Sequence, residues 1–408
     1  MGKKRVIFML TRPVFWNIYK NLYYKFKDNS DYEPIVFLCG ETINHIWAVY
    51  KNEIPKEKLL NTEQHLLTHT FNNLIEFAKI NKLNYVSGYN EENSSWLALE
   101  SFNPELVFYC DPYDSYYLKK DWEPQNASEK YKVAYIHYGY LLINTLKFYR
   151  NPIFKKAWKV FIETPEHTKI AEEENEQKVT NFIELGYPKF DDYYIKESNF
   201  KENFKKYKSD KYSKILVYAP HWTVSPKKDR SIGWYGNFVD IYEKMISLIN
   251  DKDDVFWIFK PHPLLLPQLS HNYGESKANE IFNAFRGLEN LEFYEGYDYI
   301  NLFKISDGII LDSNSFVAEY MPSGKPIIFI QKKEDLMLNK IGTDIFDACY
   351  RINYENDIKE IVQKVIFEEK DVKKLQRVEL TNKYLIIDKE CSPSENIYNY
   401  ILNNIEEV

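Results

Sequence analysis

Cysteine is scarce in this chain: four in 408 residues, Cys39, Cys110, Cys349 and Cys391, all far apart. No CxxC pair and no Cys/His ligand spacing occurs, which argues against a structural zinc site and fits a reducing compartment. A basic excess is also missing. There are 53 Lys and Arg against 60 Asp and Glu, a formal net charge of −7, so composition does not point to nucleic acid. The longest apolar runs, such as "DVFWIF" and "PIIFI", fall far short of the ~18 residues that a bilayer span needs. The opening "MGKKRVIFML" is basic and then apolar, but the apolar part is too short for a secretory signal and has no small-residue cleavage site. It reads as a first strand. There is no GxGxxG and no Walker motif, so the usual dinucleotide and P-loop sites are not indicated. No internal repeat is visible.

What is present suits a large folded protein. Hydrophobic residues are 44% and charged residues 28%, enough for a sizeable core and too apolar for global disorder. Aromatics reach 17%, with 34 tyrosines; this suits a polar, sugar-like ligand or a membrane surface, and an AT-rich genome would produce it equally. Short apolar runs alternate with longer amphipathic stretches. "RVIFML", "YEPIVFLC", "PELVFYC", "KVAYIHY" and "KVFIET" read as strands, and "FWNIYKNLYYKFK" and "THTFNNLIEFAKI" as helices. From Tyr194 to Lys214 the chain turns charged and poor in aliphatics, which marks a linker. Alternation then resumes through "KILVYAP", "FVDIYEKMISLIN", "DVFWIFKPHP", "GIILD", "SFVAEYM" and "KPIIFI". The pattern predicts an α/β protein with two mostly parallel sheets. The expected domains are residues 1–195 and 214–385, with a C-terminal helix in 386–408 that packs back on the first. In open α/β sheets, ligands sit outside the carboxyl ends of strands.

Four strand ends carry polar chemistry. "VAYIHYGY" ends with His137 and Gly139, "ILVYAPHWTV" with His221 and Trp222, and "WIFKPHP" with Lys260 and His262. Pro261 and Pro263 restrict His262 from both sides. In the fourth, "DGIILDSNSFVAEYMPSGKP", a strand reaches Asp312, and Ser313, Asn314 and Ser315 open a helix. A helix start offers unpaired N–H groups to a phosphate, although capping alone is the commoner reason for Ser and Asn there. Glu319 follows Ser315 by one turn on the same face, where a carboxylate can accept from ribose hydroxyls; a solvated glutamate is the competing reading. His45, His65, His69, His167 and His271 read as scattered over helix surfaces.

The C-terminal half resembles the CDP-glycerol glycerophosphotransferases of teichoic acid and capsule synthesis. The matching pieces are "YIHYGY", "GYPKFD", "LVYAPHWT", "FKPHP", "YDYINLFKISDGIILDSNSFVAEY" and "GKPIIF", within roughly residues 130–335. The resemblance implies a GT-B fold, two Rossmann-like domains facing across a cleft, with the donor nucleotide on the C-terminal domain and the acceptor on the N-terminal one. It puts His137 on the family's general base, His262 on the donor phosphates, Ser315 on one of two paired serine positions with Asn314 replacing the other, and Glu319 on the ribose. The chain departs from the family at "YIHYGYLL", where members usually read "WHG-T-P", and at Thr223, where an arginine is common. It is short for a polymerase of this family, which suggests one or a few transfers.

The implied reaction is attack by an acceptor hydroxyl on the donor's β-phosphorus, with CMP leaving. His137, as a histidine titrating near the working pH, is the expected base. His262, with His221, Trp222, Lys260 and Ser313 to Ser315, is expected to meet the donor. On the acceptor side Arg12 can pair with a phosphate and Trp16 can stack on a sugar; an amphipathic helix with its aromatics turned inward is the rival reading for Trp16. No metal site or resident cofactor is expected, and the sequence does not require Mg2+. The implied partners are a CDP-linked donor and a glycan or lipid-linked glycan acceptor, in the cytoplasm and with room for peripheral association at the inner membrane face. Two alternatives stay open: a glycosyltransferase using a nucleotide-activated, for example CMP-linked, sugar, and a non-catalytic nucleotide-binding scaffold in capsule assembly.

Overall fold

A computed structural model describes residues 2–40, 63–144, 148–195, 211–224, 236–331 and 337–406, with only the backbone described for 63–69. Most of the expected linker (196–210), His45, and the side chains of His65 and His69 lie outside the described residues. The chain divides into two compact units. One comprises Met1–Gly139, Leu146–Asp191 and Ile387–Val408; the other comprises Tyr140–Thr145 and Asp192–Ile386.

The first unit is built on β1 (Lys4–Leu10), β2 (Tyr32–Leu38), β3 (Tyr85–Ser87), β6 (Leu106–Tyr109), β7 (Val133–Ile136), β8 (Lys159–Ile162) and β9 (Phe182–Glu184), with a small antiparallel pair, β4 (Tyr89–Asn90) and β5 (Ser95–Trp96). The seven-stranded sheet has the order β3-β2-β1-β6-β7-β8-β9, and every pairing in it is parallel. A parallel sheet is covered by helices on both faces, so its strands are continuous apolar runs rather than alternating ones. "VIFML" of β1 is accordingly buried throughout. The helix Trp16–Asp28 buries Trp16, Ile18, Tyr19, Leu22, Tyr23 and Phe26, one stripe at helical spacing. Its rings close around Phe8, which stacks on Phe108 at 4.8 Å and meets Tyr19 and Tyr23 edge-on.

The C-terminal helix Pro393–Asn404 belongs to this unit. Ser392 accepts from Glu395 N, and Pro393 takes the first helical position, where a missing N–H costs nothing. The helix lies on Trp16–Asp28 through Phe26 and Tyr398, an Asn29–Tyr398 hydrogen bond of 2.9 Å, and a Lys25–Glu395 ion pair.

The second unit carries β10 (Lys214–Ala219), β11 (Val255–Phe259), β12 (Leu291–Phe293), β13 (Gly308–Leu311), β14 (Ile327–Gln331) and β15 (Tyr350–Asn353). They form an all-parallel sheet of order β12-β11-β10-β13-β14-β15. Phe259 stacks on Phe285 at 4.6 Å, with Phe238, Phe282 and Phe293 around the pair.

Both sheets start in the middle. The chain adds two strands on one side of β1 or β10, then returns to add the rest on the other side. The crossover connections leave that central strand in opposite directions, which opens a crevice at its carboxyl end. The switch points fall at β1/β6 and β10/β13.

Candidate active site

In the second unit the carboxyl ends of β11, β10 and β13 lie side by side, and they bear His262, His221 and Asp312. Beyond β11 the pairing with β10's extension continues: Lys260 N donates to Tyr218 O at 2.8 Å and His262 N to Pro220 O at 3.1 Å. Pro261 and Pro263 have no N–H, so His262 supplies the single backbone donor of that tripeptide. Leu264 N then donates to His262 Nδ1 at 3.1 Å. A neutral imidazole that accepts at Nδ1 carries its proton on Nε2. The prolines thus set a ring whose Nε2 is a donor.

His221 is tied in the same sense. Its backbone N donates to Asp312 Oδ1 at 2.6 Å. Thr223 N donates to His221 Nδ1 at 3.4 Å, with Thr223 Oγ1 2.9 Å from the same nitrogen and accepting Gly236 N at 2.7 Å, so Nδ1 is an acceptor and His221 too carries its hydrogen on Nε2. A Cβ at Gly236 would fall 2.2 Å from Thr223 O, so only glycine permits this approach. Burial lowers the His221 pKa to about 4. The His221 and His262 ring centroids are 5.7 Å apart, and Trp222 lies 5.4 and 6.1 Å from them. Asp312 is 2% exposed, and its second oxygen accepts Asn237 N. It braces two loops, a role the sequence did not reveal.

Ser313 makes no side-chain capping hydrogen bond, so capping does not account for it. Its Oγ lies 3.4 Å from that of Ser315, and the buried Asn314 Oδ1 has no hydrogen-bond partner among the described residues. Glu319 is 1% exposed, which removes the solvated-face reading. Its Oε2 accepts from the Tyr299 hydroxyl at 2.5 Å, and its carbonyl from that of Tyr193 at 2.6 Å. Lys260 is buried. Its Nζ donates to Gly296 O and sits 4.8 Å from the centre of the Tyr299 ring, with Tyr294 at 5.2 Å and Phe316 at 5.9 Å. Tyr299 therefore links the two charged groups, offering its face to Lys260 and its hydroxyl to Glu319.

In the first unit His137 follows β7. Tyr135 Oη is 2.8 Å from His137 Nδ1 and 3.3 Å from Cys110 O. A relay from Nδ1–H to the phenol and from the phenol to the carbonyl satisfies each group and leaves Nε2 unprotonated. Tyr138 and Phe148 pack on the ring at 4.5 and 4.7 Å. A Cβ at Gly139 would lie 3.9 Å from His137 Nε2, so glycine keeps that flank uncovered. Burial, then the charge of Lys189, then His167, lower the His137 pKa to about 3. The expectation of a histidine titrating near the working pH is therefore corrected: this imidazole is neutral throughout that range.

His167 is also corrected. It is buried, not on a helix surface, and its Nδ1 lies 2.9 Å from Thr164 Oγ1 and 3.8 Å from Glu163 Oε2. Glu163, just past β8, has no partner for Oε1 among the described residues, and burial pushes its carboxyl up to about 8. Arg12 follows β1, with its guanidinium 5.6 Å from the Phe15 ring and 5.7 Å from that of Tyr116. Trp16 is 4% exposed, edge-on to Tyr23, Tyr24 and Phe77. Its ring is taken up by core packing, which makes it a structural residue rather than a platform for sugar.

Asp312 and Tyr299 escaped the reading of the sequence because each acts on a residue distant in the chain, and Thr223, Tyr135 and Glu163 because their roles depend on side-chain geometry and burial. No group of three or more His, Cys, Asp or Glu that could hold a metal occurs among the described residues. No described helix is long and apolar enough to cross a membrane.

Residues 153–343 match the model of the family CDP-Glycerol:Poly(glycerophosphate) glycerophosphotransferase. Every donor-side residue named above lies inside that match, whereas His137 precedes it. No curated protein matches the chain. Among solved structures, the wall teichoic acid polymerase TagF, as a variant soaked with CDPG, aligns at TM-score 0.59 and 15% identity over 99% of this chain and 90% of its own. A UDP-N-acetylglucosamine 2-epimerase from Neisseria meningitidis bound to UDP-GlcNAc aligns at 0.56 and 12% over 98% of both chains. S. aureus MnaA with UDP aligns at 0.53 and 15% over 99% and 98%. At such identities these likenesses establish the fold. The fold is that of GT-B enzymes, and the family match, which spans 191 of the 408 residues, makes the segment 153–343 similar to the glycerophosphotransferases.

Proposed function

We propose that the protein transfers a polyol phosphate, glycerol phosphate first among the candidates, from a CDP-activated donor to a glycan hydroxyl and releases CMP. The observation that carries this reading is the His221–His262 pair at the carboxyl ends of β10 and β11, beside the switch point of the second sheet. Both rings are held with Nδ1 as acceptor, so both present Nε2–H, the arrangement that suits a diphosphate oxygen. Ser313 and Ser315 add hydroxyls beside them, and Glu319, oriented by Tyr299, accepts from the ribose hydroxyls. Lys260 contributes by holding Tyr299 and by its charge.

His137 has the opposite tautomer and takes the acceptor proton at Nε2. The acceptor oxygen bonds to the β-phosphorus, the bond from that phosphorus to the bridging oxygen breaks, and the pair leaves on CMP. A neutral imidazole with a depressed pKa is a weak base until negative charge approaches, and an anionic substrate supplies that charge. Arg12 remains the acceptor-side cation; Trp16 has no part. The work is placed in the cytoplasm, where nucleotide-activated donors are made.

The test is release of nucleotide by the purified chain with a glycan acceptor. CMP released from CDP-glycerol or a related CDP-polyol is the expected result. Turnover confined to CMP- or UDP-sugars would replace polyol-phosphate transfer with glycosyl transfer, and tight CDP binding with no turnover would make the protein a scaffold.

A further inference from the structure

We propose that residues 295–298 of the second unit seat the heterocyclic base of the donor nucleotide, with the Tyr297 ring as its stacking platform. The seat rests on the reading of that unit as the donor's site and adds the one part of a nucleotide that the strand-end residues leave without a contact. Tyr297 is 40% exposed. The two other tyrosines of "YEGYDY" turn to Lys260, whose Nζ lies 5.2 Å from the centre of the Tyr294 ring and 4.8 Å from that of Tyr299.

The loop that carries Tyr297 is tied down along its length. β12 pairs with β11, and Tyr294 N prolongs the pairing by donating to Phe259 O at 2.9 Å. Lys260 Nζ donates to Gly296 O at 3.1 Å, the Tyr294 hydroxyl to Asp298 O at 2.8 Å, and Tyr299 N to Tyr297 O at 3.1 Å. A Cβ at Gly296 would fall 2.7 Å from Tyr294 Oη, an atom pinned by its bond to Asp298 O, so glycine is what lets that ring lie against the loop's own backbone. An exposed aromatic side chain on a loop held this firmly loses little entropy when a ligand covers it.

Position selects the base among the parts of the donor. The loop leads into the helix Ile300–Ile305. Tyr299, at its end, packs on Phe316 at 5.0 Å and donates to Glu319 Oε2, the carboxylate read as the ribose acceptor. Tyr297 precedes Tyr299 by two residues, a reach of at most ~7 Å. The base is the group joined directly to the ribose, and it is the flat one. A tyrosine face stacks on any nucleobase, with no need for a matching hydrogen-bond pattern. Lys260 makes the two halves one site, because it holds the loop at Gly296 O and also faces the Tyr299 ring that orients Glu319.

Calorimetry of the full chain with CDP and with UDP tests the seat. Tyr297→Ala should weaken whichever nucleotide the wild type binds by about 10-fold or more, and the melting temperature of the free protein should not change, since the side chain is exposed. Tyr297→Phe should bind as the wild type does, because stacking needs the ring and not the hydroxyl. Gly296→Ala, whose added methyl displaces the Tyr294 ring, should weaken binding in the same direction as Tyr297→Ala. Nucleotide binding that Tyr297→Ala leaves unchanged would overturn the seat while the donor reading stands. No binding of either nucleotide to the wild type would overturn both. A loss in Tyr297→Phe equal to that in Tyr297→Ala would put a hydroxyl hydrogen bond in place of stacking and overturn the platform.

Discussion

Replacing Glu163 with glutamine should change how stability depends on pH in one direction and within one window. The carboxyl is 4% exposed and burial raises it from 4.5 to about 8. The folded protein thus keeps a proton that the unfolded chain has released between those values. A group with a raised folded-state pKa favours folding most below the unfolded value, and that contribution is lost as pH rises through the folded one. At ~1.4 kcal/mol per pKa unit, the loss between pH 5 and pH 8 is on the order of 3 kcal/mol. Glutamine copies the shape of the protonated carboxyl and cannot ionise. At pH 5 the Glu163→Gln variant should match the wild type, and at pH 8 it should be more stable by about that amount. His137 and His221, with pKa values lowered to about 3 and about 4, act in the opposite sense: their unfolded forms take up protons below 6.5, so stability falls as pH drops from there. Both proteins share that trend and the difference between them removes it. Urea unfolding followed by tryptophan fluorescence at pH 5, 6, 7 and 8 gives the two curves. Parallel curves would refute the reasoning, and a variant weaker at every pH would mean that Glu163 is ionised and paired with His167.

Tyr299→Phe leaves the Glu319 carboxylate in place without the hydroxyl that orients it, and should weaken CDP binding by ~1–2 kcal/mol, read by calorimetry. Glu319→Ala strands that buried hydroxyl, so it should lower the melting temperature of the free protein as well as CDP affinity; a variant that loses neither would remove Glu319 from the site. His262→Ala should weaken CDP binding and cut CMP release ~100-fold or more. His137→Ala should abolish transfer and leave CDP affinity nearly intact, and wild-type turnover in either variant would take that histidine out of the chemistry. Gly236→Ala, whose Cβ meets Thr223 O at 2.2 Å, should destabilise the second unit by ~1–3 kcal/mol in the same urea assay.

The elements were legible because parallel α/β architecture writes itself in one dimension. Runs such as "VFWIF" and "GIIL" are apolar on both faces, and a parallel strand must be followed by a crossover long enough to hold a helix. The strand-end histidines were legible for the same reason: a polar residue that stops an apolar run lies at the carboxyl edge. The sequence could not say which strands adjoin. His221 and His262 meet because β10 and β11 pair, and Asp312 reaches the His221 backbone because β13 flanks β10 on the other side; local pattern carries no strand order. Protonation was equally out of reach. The tautomers of His137, His221 and His262 depend on Tyr135, Thr223 and Leu264 N, and the pKa values of His137 and Glu163 depend on burial, which is a property of the packed fold. Trp16 shows the same limit from the other side. Its spacing allowed an exposed stacking ring or a core residue, and only the packing of Tyr23, Tyr24 and Phe77 around it decided for the core.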